Sequence, residues 1–409
     1  MSPKPAAAPL RLAMVAGEAS GDLLAALLLQ GMQEHVPALW PALRSWGIGG
    51  PHMQAQGFEA QWPAERLAVH GYSWEVFKRV AGLLRIRRQL GDSLLAQRPD
   101  VFVGVDAPDF NLGLEQRLRA AGIPTVHFVC PSIWAWRPER VHAIRRAASH
   151  VLCLFPFEPA LLRQHGIEAT FVGHPLAQAI ALQSPQQAEQ ATAAARQQLQ
   201  LEPGDPVLAL LPGSRSKEID YLLPRFLAAA QRLLAEQPRL QLILPCVPAQ
   251  LARVQAIVQS QSQSQSQSQS QLQGRLRVLG GQSHLALQAC DVTLIASGTA
   301  TLEAALFKKP MVISYAMHPV SAMLMRRKQL QPWVGLPNIL LQQELVPELL
   351  QEAATPAALA QACAQWLHAS LQRSADWQQL QQALTALHQS LQADTATLSA
   401  HVLKKLLQA

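Results

Sequence analysis

The 409-residue chain has few cysteines, little charge and no long apolar run. Its five cysteines, Cys130, Cys153, Cys246, Cys290 and Cys363, are scattered, odd in number and form no Cys-x-x-Cys pair. That argues against a disulfide framework or a cysteine zinc site. It fits reduced thiols, several in apolar runs where cysteine acts as a small core residue. No stretch reaches the roughly 18 uninterrupted apolar residues of a membrane span. The apolar segment after the Pro/Ala-rich start is broken by Glu18 and Asp22, so no signal peptide is expected. A Gly-x-Gly-x-x-Gly fingerprint is missing, which speaks against dinucleotide binding. No Asp-x-Asp triplet occurs to hold a divalent ion, and no cofactor is expected. Zinc and RNA-binding patterns are also missing, and a nucleic-acid partner is not expected.

Hydrophobic residues make up 49% of the chain, enough for ordinary buried cores, while charged residues make up only 15%. The net charge of +7 suits an acidic partner such as a phosphate or an anionic membrane surface. A single core rarely grows beyond roughly 250–300 residues, so two domains are expected.

Apolar runs ending in small-residue turns recur along the chain. Arg11 to Gly17 reads as a buried strand, Glu18 to Asp22 as a tight turn, and Leu23 to Met32 as a helix. Further strands lie at 101–105, 125–129, 151–154 and 170–172. A second series lies at 207–211, 240–244, 276–279, 292–295 and 311–314. The pattern predicts an α/β chain of two Rossmann-like, doubly wound halves facing across a cleft. The expected boundaries are 1–180, 181–373 and a helical tail, 374–409, packing on the first domain or on a partner chain. The segment from Leu182 to Gln200 reads as a linker or a surface helix. The alternating Gln/Ser run at 259–271 reads as a disordered insert in a loop of the second half.

Ligands of open α/β sheets sit at the carboxyl ends of strands, so those ends hold the candidate residues. Gly17, Glu18, Ser20, Gly21 and Asp22 end the first strand and could line an acceptor cleft; a simple turn with Ser20 as helix cap is the alternative. Asp106 is the first residue past the 101–105 strand. An Asp is ionised at pH 7 and can take a proton from an attacking hydroxyl, although a loop cap would also explain it. In the second half, Gly213, Ser214 and Arg215 offer backbone N–H groups and a guanidinium fork to phosphate oxygens. Ser297, Gly298 and Thr299 open a helix whose free N–H groups and dipole suit an anion. Two such ends in one half suggest a diphosphate. Glu303, one turn further, could accept from ribose hydroxyls or simply favour the helix dipole.

Two basic, apolar stretches remain. Trp74, Phe77 and Leu84 share one helical face ringed by Lys and Arg, and Met323 and Leu324 precede Arg326–Arg327–Lys328. Either could touch acyl chains or a membrane interface, or be an ordinary amphipathic element.

Seven strings in order, VAGEASGD (15–22), PDVFVGVDAPDFN (99–111), CPSIWAWRPERV (130–141), FVGHP (171–175), LLPGSR (210–215), ASGTATLEAAL (296–306) and GLPNIL (335–340), resemble those of the lipid-A-disaccharide synthases. The resemblance implies a GT-B fold and inverting transfer from UDP-2,3-diacylglucosamine to 2,3-diacylglucosamine 1-phosphate, giving a β-1,6 linkage and UDP. It implies Asp106 as the base, Arg215, Glu303 and Asn338 at the UDP site, and His174 near the cleft. It also implies a metal-free enzyme on the cytoplasmic face of an inner membrane and a homodimer with exchanged C-terminal segments. The Gln/Ser run is not an expected family feature, and residues 69–90 and 315–334 match the family only loosely. The rival readings are another GT-B UDP-sugar enzyme, such as a UDP-N-acetylglucosamine epimerase, and a non-enzymatic membrane-bound nucleotide sensor. Soluble UDP-N-acetylglucosamine would separate the first, and a lack of UDP release the second.

Overall fold

The computed structural model describes residues 9–35, 42–63, 74–263, 272, 274–317 and 330–408. The chain forms two compact units, Met1–Gln178 with Leu391–Ala409, and Ala179–Ser390.

The first unit alternates β1 (Leu10–Ala16), α1 (Ala19–His35), β2 (Leu43–Gly49), α2 (Pro51–Ala55), β3 (Glu59–Pro63) and α3 (Trp74–Gln97). It continues through β4 (Val101–Val105), α4 (Pro108–Ala120), β5 (Thr125–Phe128), α5 (Arg140–Ala147), β6 (His150–Cys153), α6 (Glu158–Gln164), β7 (Ala169–Phe171) and α7 (Pro175–Ala179). All seven strands are parallel, in the order β3-β2-β1-β4-β5-β6-β7. A parallel sheet is covered on both faces, so its strands need continuous apolar runs rather than alternation. Val101–Val105 meets that demand, with every residue buried.

The second unit has the same plan: α8 (Pro185–Gln198), β8 (Val207–Leu211), α9 (Ser216–Glu236), β9 (Gln241–Cys246), α10 (Leu251–Gln263), β10 (Leu276–Gly280), α11 (Ser283–Ala289), β11 (Val292–Ala296), α12 (Thr299–Leu306) and β12 (Met311–Tyr315). Then come α13 (Leu336–Leu341), β13 (Glu348–Leu350), α14 (Pro356–Gln372), α15 (Ala375–Leu391) and, returning to the first unit, α16 (Thr395–Gln408). The six strands are parallel, in the order β10-β9-β8-β11-β12-β13. Phe226, Leu227 and Leu233 of α9 pack with Leu359, Cys363 and Leu367 of α14 over β8, β9 and β11 in one apolar core.

Two differences from the expected layout have local causes, and one open choice is decided. The segment after Leu182, expected as a linker or a surface helix, is a helix. Ser184 accepts from the Gln187 amide and Gln187 answers back to the Ser184 amide, a capping box that starts α8. The Gln/Ser run does not begin as a loop, because Gln259–Gln263 extend α10; residues 264–271 lie outside the described residues. The tail is not one piece. Its first helix, α15, belongs mostly to the second unit, while α16 packs on α1 of the first.

That last contact is close. Ala400 and Leu403 of α16 are fully buried in the core formed by Leu24, Leu28 and Met32 of α1 with β1 and β4. At Gly31 any Cβ would overlap the Ala396 backbone. A methyl group here must push the two helices apart, which costs about 1–3 kcal/mol. Gly31→Ala is therefore expected to lower the melting temperature by several degrees and to make the last 15 or so residues (about the length of α16) cleavable by protease. An unchanged melting curve and proteolytic pattern would contradict this packing.

Candidate active site

In a doubly wound sheet the ligand crevice opens at the carboxyl ends of the two strands where the order reverses. Those strands are β1 and β4 in the first unit, and β8 and β11 in the second. Each pair carries residues singled out from sequence.

Asp106 is the first residue beyond β4, and it is partly exposed. It and Ala107 both adopt left-handed backbone, φ +52° and +43°. For non-glycine residues such geometry costs of order 1–3 kcal/mol each and persists only where the surroundings enforce it. The surroundings here are explicit. The Asp106 amide donates to the Phe128 carbonyl at 2.8 Å. Asn111, fully buried, donates from Nδ2 to the Asp106 carbonyl at 2.8 Å and to the Val105 carbonyl at 3.3 Å. The Phe110 and Asn111 amides close back on the Ala107 carbonyl, at 2.9 and 3.0 Å. Pro108 then starts α4 without a side-chain cap. Behind this turn Glu115 Oε1 meets His127 Nδ1 at 2.7 Å, both side chains fully buried. Burial pushes the Glu115 carboxyl up, and His127 pulls it partly back. Gly104 makes room: a Cβ there would overlap Glu115 and press on Asn111.

The β1 turn divides into two kinds of residue. Glu18 and Ser20 are exposed and Gly17 is buried. Ser20 is not the helix cap, since α1 already begins at Ala19. Gly21 faces the end of β4, where a Cβ would make only ordinary contact with the Val105 side chain at 3.6 Å. Asp22 corrects the expectation of an acceptor contact. It is buried and accepts from the amides of Gly50, His52 and Met53 at 2.9, 2.9 and 3.1 Å, so its carboxylate holds the start of α2. His174 is also buried, and burial lowers its pKa to about 4, leaving it neutral. Its amide donates to Leu391 at 2.9 Å and its Nδ1 accepts from Leu176 at 3.3 Å, tying β7 to the returning chain.

Beside His174 lies a cluster that sequence reasoning missed. Phe155 stacks on His174 at 5.7 Å and on Phe157 at 6.1 Å, and Trp134 meets both phenylalanines edge-on. Glu158 accepts from Trp134 Nε1 at 3.0 Å and from the Phe155 amide at 3.1 Å. Burial raises its pKa to about 7. The signal was two motifs, CPSIWAWRPERV and LFPFEP, far apart in sequence but joined by adjacent parallel strands.

In the second unit the two candidate anion sites differ. At the β8 end, Gly213 has φ +104°. The Ser214 and Arg215 amides both point at Glu218 Oε2, at 3.2 and 3.3 Å, and Arg215 Nη1 meets Glu218 Oε1 at 3.0 Å. The amides expected to hold phosphate thus hold a carboxylate of the same chain, while the Arg215 side chain stays 71% exposed. At the β11 end, α12 has no side-chain cap, and Gly298 and Thr299 are exposed. Gly298 has φ +155°, and nothing lies within 4 Å of where its Cβ would be. This terminus is open to an anion. Ser297 shapes it, donating from Oγ to the Val334 carbonyl at 2.9 Å. Glu303, 20% exposed, faces His284 at 3.3 Å.

Asn338 is corrected as a direct UDP contact. It is fully buried. Its Nδ2 donates to Val346 O at 2.8 Å and Glu348 Oε1 at 2.9 Å, and its Oδ1 accepts from the Leu345 and Val346 amides at 2.8 and 3.1 Å. Glu348 also takes the Val334 and Gly335 amides, at 2.7 and 2.9 Å. Asn338 and Glu348 thus anchor the segment that receives Ser297.

Leu84 is 50% exposed on α3. Trp74 and Phe77 fall on the same helix, with side chains outside the described residues, as are Met323 and Leu324 altogether. Among the described residues, no helix is long and apolar enough to cross a membrane.

Two parallel doubly wound units, one presenting an acid at its switch point and the other an open helix terminus and an arginine, define the GT-B class. Solved structures agree in fold. A glycosyltransferase from Rickettsia africae matches with a TM-score of 0.55 at 11% identity, covering 98% of each chain. The UDP-GlcNAc 2-epimerase from Neisseria meningitidis bound to UDP-GlcNAc matches at 0.59 and 11%, over 97% of this chain and 99% of that one. The family model for lipid-A-disaccharide synthetase matches residues 12–402. Lipid-A-disaccharide synthases from Verminephrobacter eiseniae and Chromobacterium violaceum are 58% and 49% identical, over 98% and 96% of both chains respectively. The chain belongs to the lipid-A-disaccharide synthase family and is a glycosyltransferase.

Glu158 gives the site a pH signature. Its native pKa of about 7 exceeds the ordinary 4.5, so between those values the folded protein holds a proton that the unfolded chain has lost. Stability from this group therefore falls as pH rises from about 5 to above 7. Wild-type melting temperature is expected to drop by several degrees between pH 6 and 8, and Glu158→Gln to remove that part of the drop. Parallel pH profiles for the two proteins would contradict the assignment.

Proposed function

We propose that this chain joins UDP-2,3-diacylglucosamine to 2,3-diacylglucosamine 1-phosphate, forming the β-1,6-linked disaccharide 1-phosphate and UDP. The observation that carries the reading is the strained, clamped turn that presents Asp106 at the β4 end. Strain of this kind clusters at functional sites, and an acid at a switch point suits a general base.

In this reading Asp106 takes the proton of the acceptor 6-hydroxyl as its oxygen attacks the donor anomeric carbon opposite the UDP. The anomeric C–O bond to the diphosphate breaks, and the electron pair leaves with UDP. The charge growing on the diphosphate meets the exposed Arg215 guanidinium and the open N–H groups at Gly298–Thr299, groups fixed before the reaction begins. Glu303 takes ribose hydroxyls. Gly17, Glu18, Ser20 and Gly21 border the acceptor across the β1 end.

The reading also puts the protein at the inner-membrane surface on the cytoplasmic side, as a peripheral enzyme able to pair as a homodimer through its C-terminal segment. The half-exposed Leu84 on the arginine-rich α3 supports membrane contact.

Purified protein mixed with the diacyl donor and the 1-phosphate acceptor is expected to yield the disaccharide and UDP by mass spectrometry. Asp106→Ala is expected to lower turnover at least ~100-fold, the usual low end for a general base, with donor KM little changed. Disaccharide formed by a folded Asp106→Ala protein at near wild-type rate would refute the base. Isomerisation of soluble UDP-N-acetylglucosamine without disaccharide formation would refute the transfer.

A further inference from the structure

One ion pair in the second unit ties Glu303, placed above at the ribose hydroxyls, to a histidine that has no part in the transfer steps. His284 is the second residue of α11, the crossover helix that carries the chain from β10 at the sheet edge to β11 at the switch point. Gln282, left-handed at φ +62°, turns the chain into that helix. The His284 ring packs edge-on against Phe307 at 5.4 Å and 64°. Its Nε2 then lies 3.3 Å from Glu303 Oε2. His284 is half exposed and Glu303 only 20% exposed, so the imidazole lies against one carboxylate oxygen, Oε2, while part of the Glu303 side chain still meets solvent.

The surrounding charges are engaged elsewhere. Arg196 of α8 pairs with Asp291 at the opposite end of α11, at 2.8 Å. Lys309 donates to the Gln288 and Cys290 carbonyls at that same end. Glu189 of α8 pairs with Arg373 at 2.5 Å, and Lys308 is held by the Leu306 carbonyl and His388. The β8 and β9 residues against α11 are buried and uncharged. Among the described residues, Glu303 is thus the one charged group that faces the His284 imidazole. The bond to Glu303 raises the imidazole pKa above its ordinary value, with burial opposing it.

Glu303 alone would be a poor neighbour for a diphosphate, because both are anions. A cation on the carboxylate cancels that repulsion and fixes which oxygen is left for a ligand. We propose that His284 is a positioning residue of the nucleotide site: its imidazolium holds Glu303 by one oxygen and leaves the other to the ribose hydroxyls of a uridine diphosphate sugar. This rests on the reading that Glu303 and the α12 terminus take the nucleotide. Donor affinity then depends on the His284 proton, strong when the imidazole is charged and weaker when it is neutral.

The test is calorimetric binding of UDP-N-acetylglucosamine to the full-length protein at pH 6.0 and 8.5. Both phosphates of this probe are esterified, so the ligand itself does not titrate in that window. Wild type is expected to bind about tenfold more weakly at pH 8.5. His284→Ala should bind about tenfold more weakly at pH 6.0 and show no further loss at pH 8.5. His284→Arg, permanently charged, should restore affinity and hold it at both pH values. A His284→Ala protein that keeps wild-type affinity and pH slope, while Arg215→Ala loses binding, overturns the His284 proposal alone. Binding that is absent in wild type, or indifferent to both Arg215→Ala and Glu303→Gln, overturns the nucleotide site and this proposal with it.

Discussion

An all-parallel sheet whose strand order reverses once is the constraint on which everything else rests. Right-handed crossovers send successive helices to one face on one side of the reversal and to the other face beyond it. A crevice is left at the carboxyl ends of the two central strands, where loops can approach a ligand without displacing packed helices. Both units have this arrangement, the reversal lying between β1 and β4 in one and between β8 and β11 in the other. Parallel strands also demand cover on both faces. That demand explains why the chain places α16 on α1, where Ala400 and Leu403 close the apolar face of the first unit.

The two crevices are equipped differently, and the difference is chemical. In the first unit a carboxylate is held on strained backbone by Asn111, with Gly104 giving space and the Glu115–His127 pair filling the polar core beneath. Such a network is costly where atoms stay unpaired, as Asn111 Oδ1, Glu115 Oε2 and His127 Nε2 do among the described residues, yet it fixes one geometry when it forms. In the second unit cationic and N–H groups face outward. One cradle, at Gly213–Arg215, is already occupied by Glu218; the other, at Gly298–Thr299, is open. In the proposed reading, a diphosphate would meet free backbone donors at α12 and a guanidinium supported by Glu218.

Much of this was legible in the sequence because long buried strands announce themselves. Val101–Val105 and Val207–Leu211 are unbroken apolar runs, and each ends in a short, distinctive turn. The strands that escaped notice are of another kind. Leu43–Gly49 is interrupted by Arg44, Ser45 and Gly47, and Glu59–Pro63 and Glu348–Leu350 are short edge strands that begin with a glutamate. So short a run at a sheet edge gives a weak apolar signature. Side-chain roles were harder still. Asp22 and Asn338 sit in motifs that look like ligand contacts, but the structure turns them inward to bind backbone amides and carbonyls. Glu218 and Glu158 were missed although their strings were in view, because their partners come together only through the helix turn at α9 and the β5–β6 pairing.

The central claim is a division of labour: the second unit's β8–β11 crevice takes the nucleotide, and the first unit's β1–β4 crevice takes the acceptor. Amide hydrogen exchange on the intact protein, tracked peptide by peptide with UDP alone and then with the 1-phosphate acceptor alone, measures it directly. The account predicts that UDP slows exchange around 212–218 and 297–303, and that the acceptor slows it around 17–22 and 106–111. UDP protection centred on 106–111, or no ligand-dependent change at either strand end, would contradict it.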